Sequence, residues 1–218
     1  MHDVPPPLPP AERTVGQLVA ESLRLYGRRF WPSLALGVPP AILNLLARVL
    51  DDTLLLVVVP IAGGLLLSLS YVGAVSLASE QPVAAARAVA GGVLVFLPFP
   101  FFTAFFILPG LVWLAAFGLV VPVLALERIG FWLAFLRAYK LARADFVHAL
   151  GSLATLAILV FLTQSTLFFL LRGTGDQTLD IASFVAALVV SPLLFLGSAL
   201  LYFDQAARED LRHVPRTQ

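Results

Sequence analysis

The sequence has no cysteine and very little charge. Without cysteine there is no disulfide, no thiolate nucleophile and no thiolate metal ligand. Charged residues make up 12% of the 218 positions and apolar ones 60%, whereas a soluble domain carries about a quarter charged residues. That is too little polar material to clothe a soluble globule, so the chain reads as an integral membrane protein. A span takes about 20 apolar residues, so six spans use roughly 120 positions. No room is left for a second full-sized soluble domain, which is where most membrane enzymes do their chemistry. Lysine is nearly missing as well, since Lys140 stands alone against thirteen arginines, a usage that fits a GC-rich bacterial genome. The net charge of +1 supplies no basic surplus, and a nucleic-acid partner is not expected.

The apolar runs are Ser33 to Leu50, Leu54 to Ser79, Val89 to Leu108, Leu111 to Leu126, Phe146 to Leu171 and Ile181 to Phe203. None holds an ionisable side chain at mid-membrane, where ion- and proton-coupled transporters keep one. The polar candidates inside the spans are Asn44 and the cluster Gln164-Ser165-Thr166, whose simplest use is hydrogen bonding between helices. The stretch Val89 to Leu126, as one helix, would be about 57 Å long against a hydrocarbon core of about 30 Å. It must turn back, and Pro109-Gly110 is the expected turn. Prolines fall inside most of the spans, at Pro39, Pro40, Pro60, Pro98, Pro100, Pro122 and Pro192. They read as packing kinks, with broken helices around a solute cavity as the alternative.

Two segments outside the spans are amphipathic. From Thr14 to Phe30, the residues Val15, Leu18, Val19, Ser22, Tyr26 and Phe30 share one face, and Thr14 with Gln17 forms a capping box. Between Phe131 and Phe146, the residues Trp132, Phe135, Tyr139 and Ala142 share a face edged by Arg137, Lys140 and Arg143. Both are expected to lie in the membrane interface. The fold class is therefore all-α, a bundle of six transmembrane helices plus two interfacial amphipathic helices. Residues 1–12 form a disordered proline-rich tail without a cleavable signal, 13–210 a single membrane domain and 211–218 a C-terminal tail.

Under the six-span layout, twelve of the basic residues fall on one side and only Arg48 and Arg172 on the other. The positive-inside rule then puts both termini in the cytoplasm. Trp31 and Trp132 are expected at the inner interface and Trp113 near the outer one. Arg28, Arg29, Arg137, Lys140 and Arg143 would face anionic head groups of the inner leaflet. His2, His148 and His213 are scattered and read as solvent or interface residues. With no paired carboxylates on the inner side either, no catalytic site, metal or cofactor is expected.

The run Val121-Pro122-Val123-Leu124-Ala125-Leu126-Glu127-Arg128-Ile129-Gly130, followed by Ala134-Phe135-Leu136-Arg137-Ala138-Tyr139-Lys140-Leu141-Ala142-Arg143, resembles a signature of bacterial multi-pass proteins. Arg13-Thr14-Val15-Gly16 with Leu25-Tyr26, and the ending Leu201-Tyr202-Phe203-Asp204, extend the likeness. The family is the membrane domain of glycerophosphoryl diester phosphodiesterase and its relatives of unknown function. Ala138 stands where the family has serine, and Ala206 where the ending has its first arginine. In fused members the hydrolysis belongs to a separate barrel, so the resemblance implies a fold and a membrane location, and not a reaction. The expected function is a non-enzymatic membrane module in bacterial envelope or lipid physiology, located in the inner membrane. The alternative is a carrier or channel for a lipid-like or small amphipathic solute. Glu127 and Arg137 are expected to pair and fix the second amphipathic helix to the bundle. Asp204 is expected to pair with Arg24 or Arg143. Protein partners and oligomeric state stay open.

Overall fold

The structure, a computed structural model, describes residues 9–79, 81–173 and 175–213. Among these all regular structure is helical. A short 3-10 turn, Pro10–Glu12, leads into α1 (Val15–Arg28), α2 (Phe30–Ala35), α3 (Val38–Val49), α4 (Asp52–Ser79), α5 (Ala85–Phe96) and α6 (Phe99–Phe105). Then come α7 (Ile107–Phe117), α8 (Val120–Leu126), α9 (Phe131–Ala144), α10 (Phe146–Leu171) and α11 (Asp176–His213). Six stretches are long and apolar enough to cross a membrane: Phe30–Val49, Thr53–Ser79, Ala85–Phe102, Ile107–Leu126, Phe146–Leu171 and Gln177–Arg212. The molecule is an all-α membrane bundle. Of the expected tails at 1–12 and 211–218, residues 1–8 and 214–218, with His2 and Arg216, lie outside the described residues, as does the His213 side chain, whereas Pro10–Glu12 forms a 3-10 turn and residues 211–213 belong to α11.

The turn between the third and fourth spans is not at Pro109-Gly110. The chain breaks at Phe106, whose backbone is extended at φ −159° and ψ 153°. Pro109 sits instead in the first turn of α7, where a missing N–H costs nothing because that N–H has no partner in a helix anyway.

Prolines divide three of the spans into two helices each, and at two of these breaks a neighbouring span supplies a donor to a carbonyl beside the break. Pro40 cannot donate to the Leu36 carbonyl one turn back. The buried hydroxyl of Ser70, on α4, donates to that oxygen at 2.8 Å. Pro122 likewise leaves the Gly118 carbonyl without its usual donor, and the Val121 N–H reaches it in a tighter turn at 3.4 Å. Near Pro98, where α5 ends, the Trp113 indole donates to the Val95 carbonyl at 2.9 Å. Trp113 therefore faces the bundle between Phe102 and Phe117, in place of the outer interface expected for it. Its hydrogen bond is stronger in a dry interior than at a wet boundary, and it closes the gap left by the helix break.

The longest helix, α11, has 38 residues, about 57 Å at the α-helical rise. It overshoots a bilayer core at one end, and α1, α2, α3, α4, α9 and α10 all pack on it. Pro192 frees the Leu188 carbonyl in its middle. Gly37, at the junction of α2 and α3, rests against that carbonyl so closely that a Cβ there would lie 1.9 Å from the oxygen. Close helix approach recurs at Gly92, where a Cβ would meet the Ser68 hydroxyl at 2.5 Å.

Helix α1 does more than lie on the surface. Leu18 and Ser22 are fully buried, and Leu18 joins Ala115, Ala149, Leu153, Leu156 and Leu201 in one apolar cluster. Its capping box forms as expected. A partly open cavity of about 40 Å³ lies where the kinked spans meet, bordered by Tyr71, Phe96, Gly118, Leu119, Phe195 and Ser198. Its lining is apolar, and Tyr71 turns its hydroxyl to the Ser198 carbonyl at 3.2 Å.

Replacing Gly37 by alanine inserts a methyl group into the Leu188 contact and should destabilise the bundle by about 1–3 kcal/mol. Thermal unfolding in detergent measures this. An unchanged midpoint would mean that α3 and α11 do not depend on this close approach.

Candidate functional site

Charged side chains gather at one end of the bundle. The starts of the first, third and fifth spans and the ends of the second, fourth and sixth lie there, as six alternating crossings require. Sequence spacing supplies the chemistry, but five different segments bring it together around the last turns of α11.

Asp204 is the centre of the first cluster. Its side chain has no exposed surface, and Oδ1 accepts from Arg13 at 3.0 Å. Oδ2 lies 3.7 Å from Nε2 of His148, which is itself buried. Both expected partners of Asp204 are therefore corrected. Arg24 pairs with Glu21, one turn back on α1, at 2.9 Å. Arg143 stacks over the Tyr139 ring at 5.4 Å. The reading of His148 as a solvent or interface residue is corrected as well. As Asp145 caps the start of α10 by accepting from the His148 N–H at 2.9 Å, the imidazole of that first turn is rotated into the bundle toward α11.

Asp145 forms the joint between α9 and α10. Its backbone is held on both sides by the buried amide of Gln205: Asp145 N–H donates to Oε1 at 3.1 Å, and Nε2 donates to the Asp145 carbonyl at 3.0 Å. Its second carboxylate oxygen accepts from Arg208. Arg208 also donates to the Arg13 carbonyl at 2.6 Å, so one guanidinium ties the N-terminal turn to the α9–α10 joint.

Glu127 and Arg137 meet in the second cluster, with Arg137 Nε donating to the carboxylate at 3.3 Å. The Tyr202 hydroxyl donates to the same carboxylate at 2.9 Å. Arg137 further pairs with Glu209 on α11. Partial burial opposes the charge of Arg137, yet Glu127 and Glu209 outweigh it and raise its pKa above the usual arginine value. The guanidinium is thus a permanent cation shared by two helices. Beside it the chain reverses at Arg128, a non-glycine residue with φ 52°. Arg87, at the start of the third span, holds this turn by donating to the Ile129 carbonyl.

The remaining candidates divide. Lys140 and Arg143 are exposed on the outer edge of α9, and Arg28 is exposed in the last turn of α1. Arg29 is half-buried at the junction of α1 and α2. At the opposite end of the bundle, Asn44 accepts from Arg48 within its own helix at 3.3 Å. It is Arg48 that crosses to α11, reaching Asp180 and, at 2.8 Å, Ser183. Gln164 stands half-buried between α10 and α11, beside Leu179 and Ser183. Sequence reasoning missed Arg13, Asp145, Gln205 and Arg208 as partners. Only the family-like ending carried a signal for Tyr202 and Asp204, with no partner for Tyr202 and the wrong ones for Asp204.

Among the described residues no three histidine or acidic side chains are grouped to hold a metal ion. What the arrangement does chemically is to neutralise buried charge and lock helix ends in place. Arg13→Ala should cost about 3–5 kcal/mol, because Asp204 is left buried and unpaired, and Arg13→Lys should recover part of it. Both are read from unfolding in detergent. For the second cluster, charge reversal at Glu127 should destabilise strongly, and a matching Arg137→Glu should rescue only in part, since the new glutamate faces Glu209. A cycle with no coupling between the two positions would show the pair to be energetically idle. Searches against family models, curated proteins and solved structures found no match to this chain.

Proposed function

We propose that the chain is a six-span module of the bacterial inner membrane, both termini cytoplasmic, that serves envelope or lipid physiology without catalysing a reaction. One observation carries this reading. At the basic end, Glu127, Asp145, Asp204 and Glu209 each face an arginine from another segment. The acidic groups that catalysis or ion coupling would use are thereby bound up in holding helices together. The resemblance to the membrane domain of glycerophosphoryl diester phosphodiesterase supports the same reading. Glu127, Arg137, Tyr202 and Asp204, which carry that resemblance, are among the side chains that make these contacts. The gathering of basic residues at this end supports a cytoplasmic placement, because the cost of moving arginine and lysine across the membrane keeps them inside.

The carrier alternative has one observation in its favour: spans kinked by Pro122 and Pro192 meet at this cavity. At about 40 Å³ the cavity holds a few water molecules at most, so a solute would have to part the helices.

The absence of cysteine makes orientation easy to test. In whole cells a membrane-impermeant maleimide should label Arg172→Cys and leave Lys140→Cys untouched until the membrane is opened. The reverse pattern would invert the proposed topology. For function, proteoliposomes are expected to show neither flux of glycerophosphodiesters, nor phospholipid scrambling, nor phosphodiester hydrolysis above empty vesicles. Flux or scrambling would replace the module with a carrier, and hydrolysis would replace it with an enzyme.

A further inference from the structure

Helix α9 is held from behind and open in front. Arg137 pins its inner edge to Glu127 and Glu209, and Ala134, Ala138 and Leu141 are fully buried against the bundle. Its other face forms one wall of a groove of about 710 Å³, within the range of small-molecule binding sites. Phe131, Trp132, Phe135 and Tyr139 line it from α9, Leu94 from α5 and Phe117 from α7. Phe117 stacks on Tyr139 with ring centroids 6.3 Å apart and touches Phe135 at 6.1 Å. The lining is thus assembled from three helices and fixed by ring contacts.

The charge along this groove is uneven in a telling way. Lys140 and Arg143 follow Leu136 and Tyr139 by one helical turn each and so continue the groove face toward the end of α9. Both are exposed, and among the described residues neither pairs with a carboxylate. The Arg143 guanidinium lies over the Tyr139 ring, a contact that orders it at the mouth of the groove while leaving its hydrogen-bond donors available. Elsewhere at this end Arg13, Arg24, Arg137 and Arg208 are matched by acids, Arg87 and Arg212 donate to backbone carbonyls, and Arg28 and Arg128 stand away from any aromatic slot. An aromatic slot that ends in two unmatched cations is complementary to a molecule with an apolar tail and an anionic head.

We propose that this groove holds one acyl chain of an anionic phospholipid from the surrounding leaflet, its phosphate seated between Lys140 and Arg143. The tail gains little by leaving the bilayer, since lipid is as apolar as the slot. Selectivity therefore rests on the head group, at about 1 kcal/mol, or about fivefold, for each basic side chain. The exposed indole of Trp132 stands at the rim, where such rings prefer the head-group level. This inference deepens the lipid-physiology reading and names the lipid class and its seat.

The test uses the full chain purified from nanodiscs of mixed phosphatidylglycerol and phosphatidylcholine, with retained lipid counted by native mass spectrometry. Wild type should retain phosphatidylglycerol selectively. Lys140→Ala with Arg143→Ala should lower that selectivity by roughly 25-fold, whereas Arg24→Ala with Arg28→Ala on α1, where Arg24 is already paired with Glu21 and Arg28 alone meets head groups, should lower it by no more than about fivefold. Leu136→Trp, which fills the slot and keeps both cations, should also release the lipid. Equal loss from both charge pairs would reduce the effect to general attraction and overturn the site. So would retention in Leu136→Trp, or a dimer in which a second copy covers the slot. Since the two leaflets of a nanodisc are alike, the result does not depend on orientation. Flux in proteoliposomes would sink the non-carrier reading and leave this site standing.

Discussion

A carboxylate with no exposed surface has to be matched by a cation and by hydrogen bonds, and in a membrane protein water offers little help. Asp204 sits in that position near the end of α11, and the arrangement around it follows from the need. Arg13 comes from the N-terminal turn and His148 from the first turn of α10. One residue on, Gln205 takes both backbone groups of Asp145, and one turn on, Arg208 takes its carboxylate. The start of α1 and the joint between α9 and α10 are thus fixed to one helical turn. With α9 fixed at its end, Arg137 has only a short distance to travel to Glu127 and Glu209.

The same logic governs the apolar part of the bundle, with backbone in place of side chains. Each proline frees a carbonyl, and a freed carbonyl in hydrocarbon is as costly as an unpaired side chain. Ser70 answers Pro40, and Trp113 answers the break before Pro98. The Leu188 carbonyl freed by Pro192 lies against Gly37, a residue with no side chain to hold it off. At these three kinks the partner lies on a different span, so bending one helix fixes the position of another.

How much of this was legible in the residues depends on the kind of signal. Apolar run length located all six crossings, because a span must hide about 20 residues from water whatever its neighbours are. Glu127 and Arg137 were legible as a pair because they lie ten residues apart on either side of one turn. Arg13 and Asp204 are separated by 191 positions, and no local pattern joins them. The part Asp145 plays at the α9–α10 joint exists only once α11 is beside it. The turn was misplaced for a simpler reason: Pro109-Gly110 carries a strong turn signal, yet a proline also begins a helix well. The extended residue Phe106 gave no sign of a break.

The order in which the chain is made gives α11 one more consequence. A protein emerges from the ribosome with its N-terminal segments first, and the buried Asp204, the Gln205 and Arg208 that hold Asp145, and the carbonyl that Gly37 rests on all lie on the last span. Until that helix enters, Arg13 has no acid, Gly37 has no carbonyl to rest on, and Asp145 is held only by its own helix cap. The first five spans have contacts of their own, such as Ser70 with the Leu36 carbonyl and Trp113 with the Val95 carbonyl, but their charged end lacks its partners until then. Closing the charged end of the bundle therefore falls to α11, the last helix to arrive.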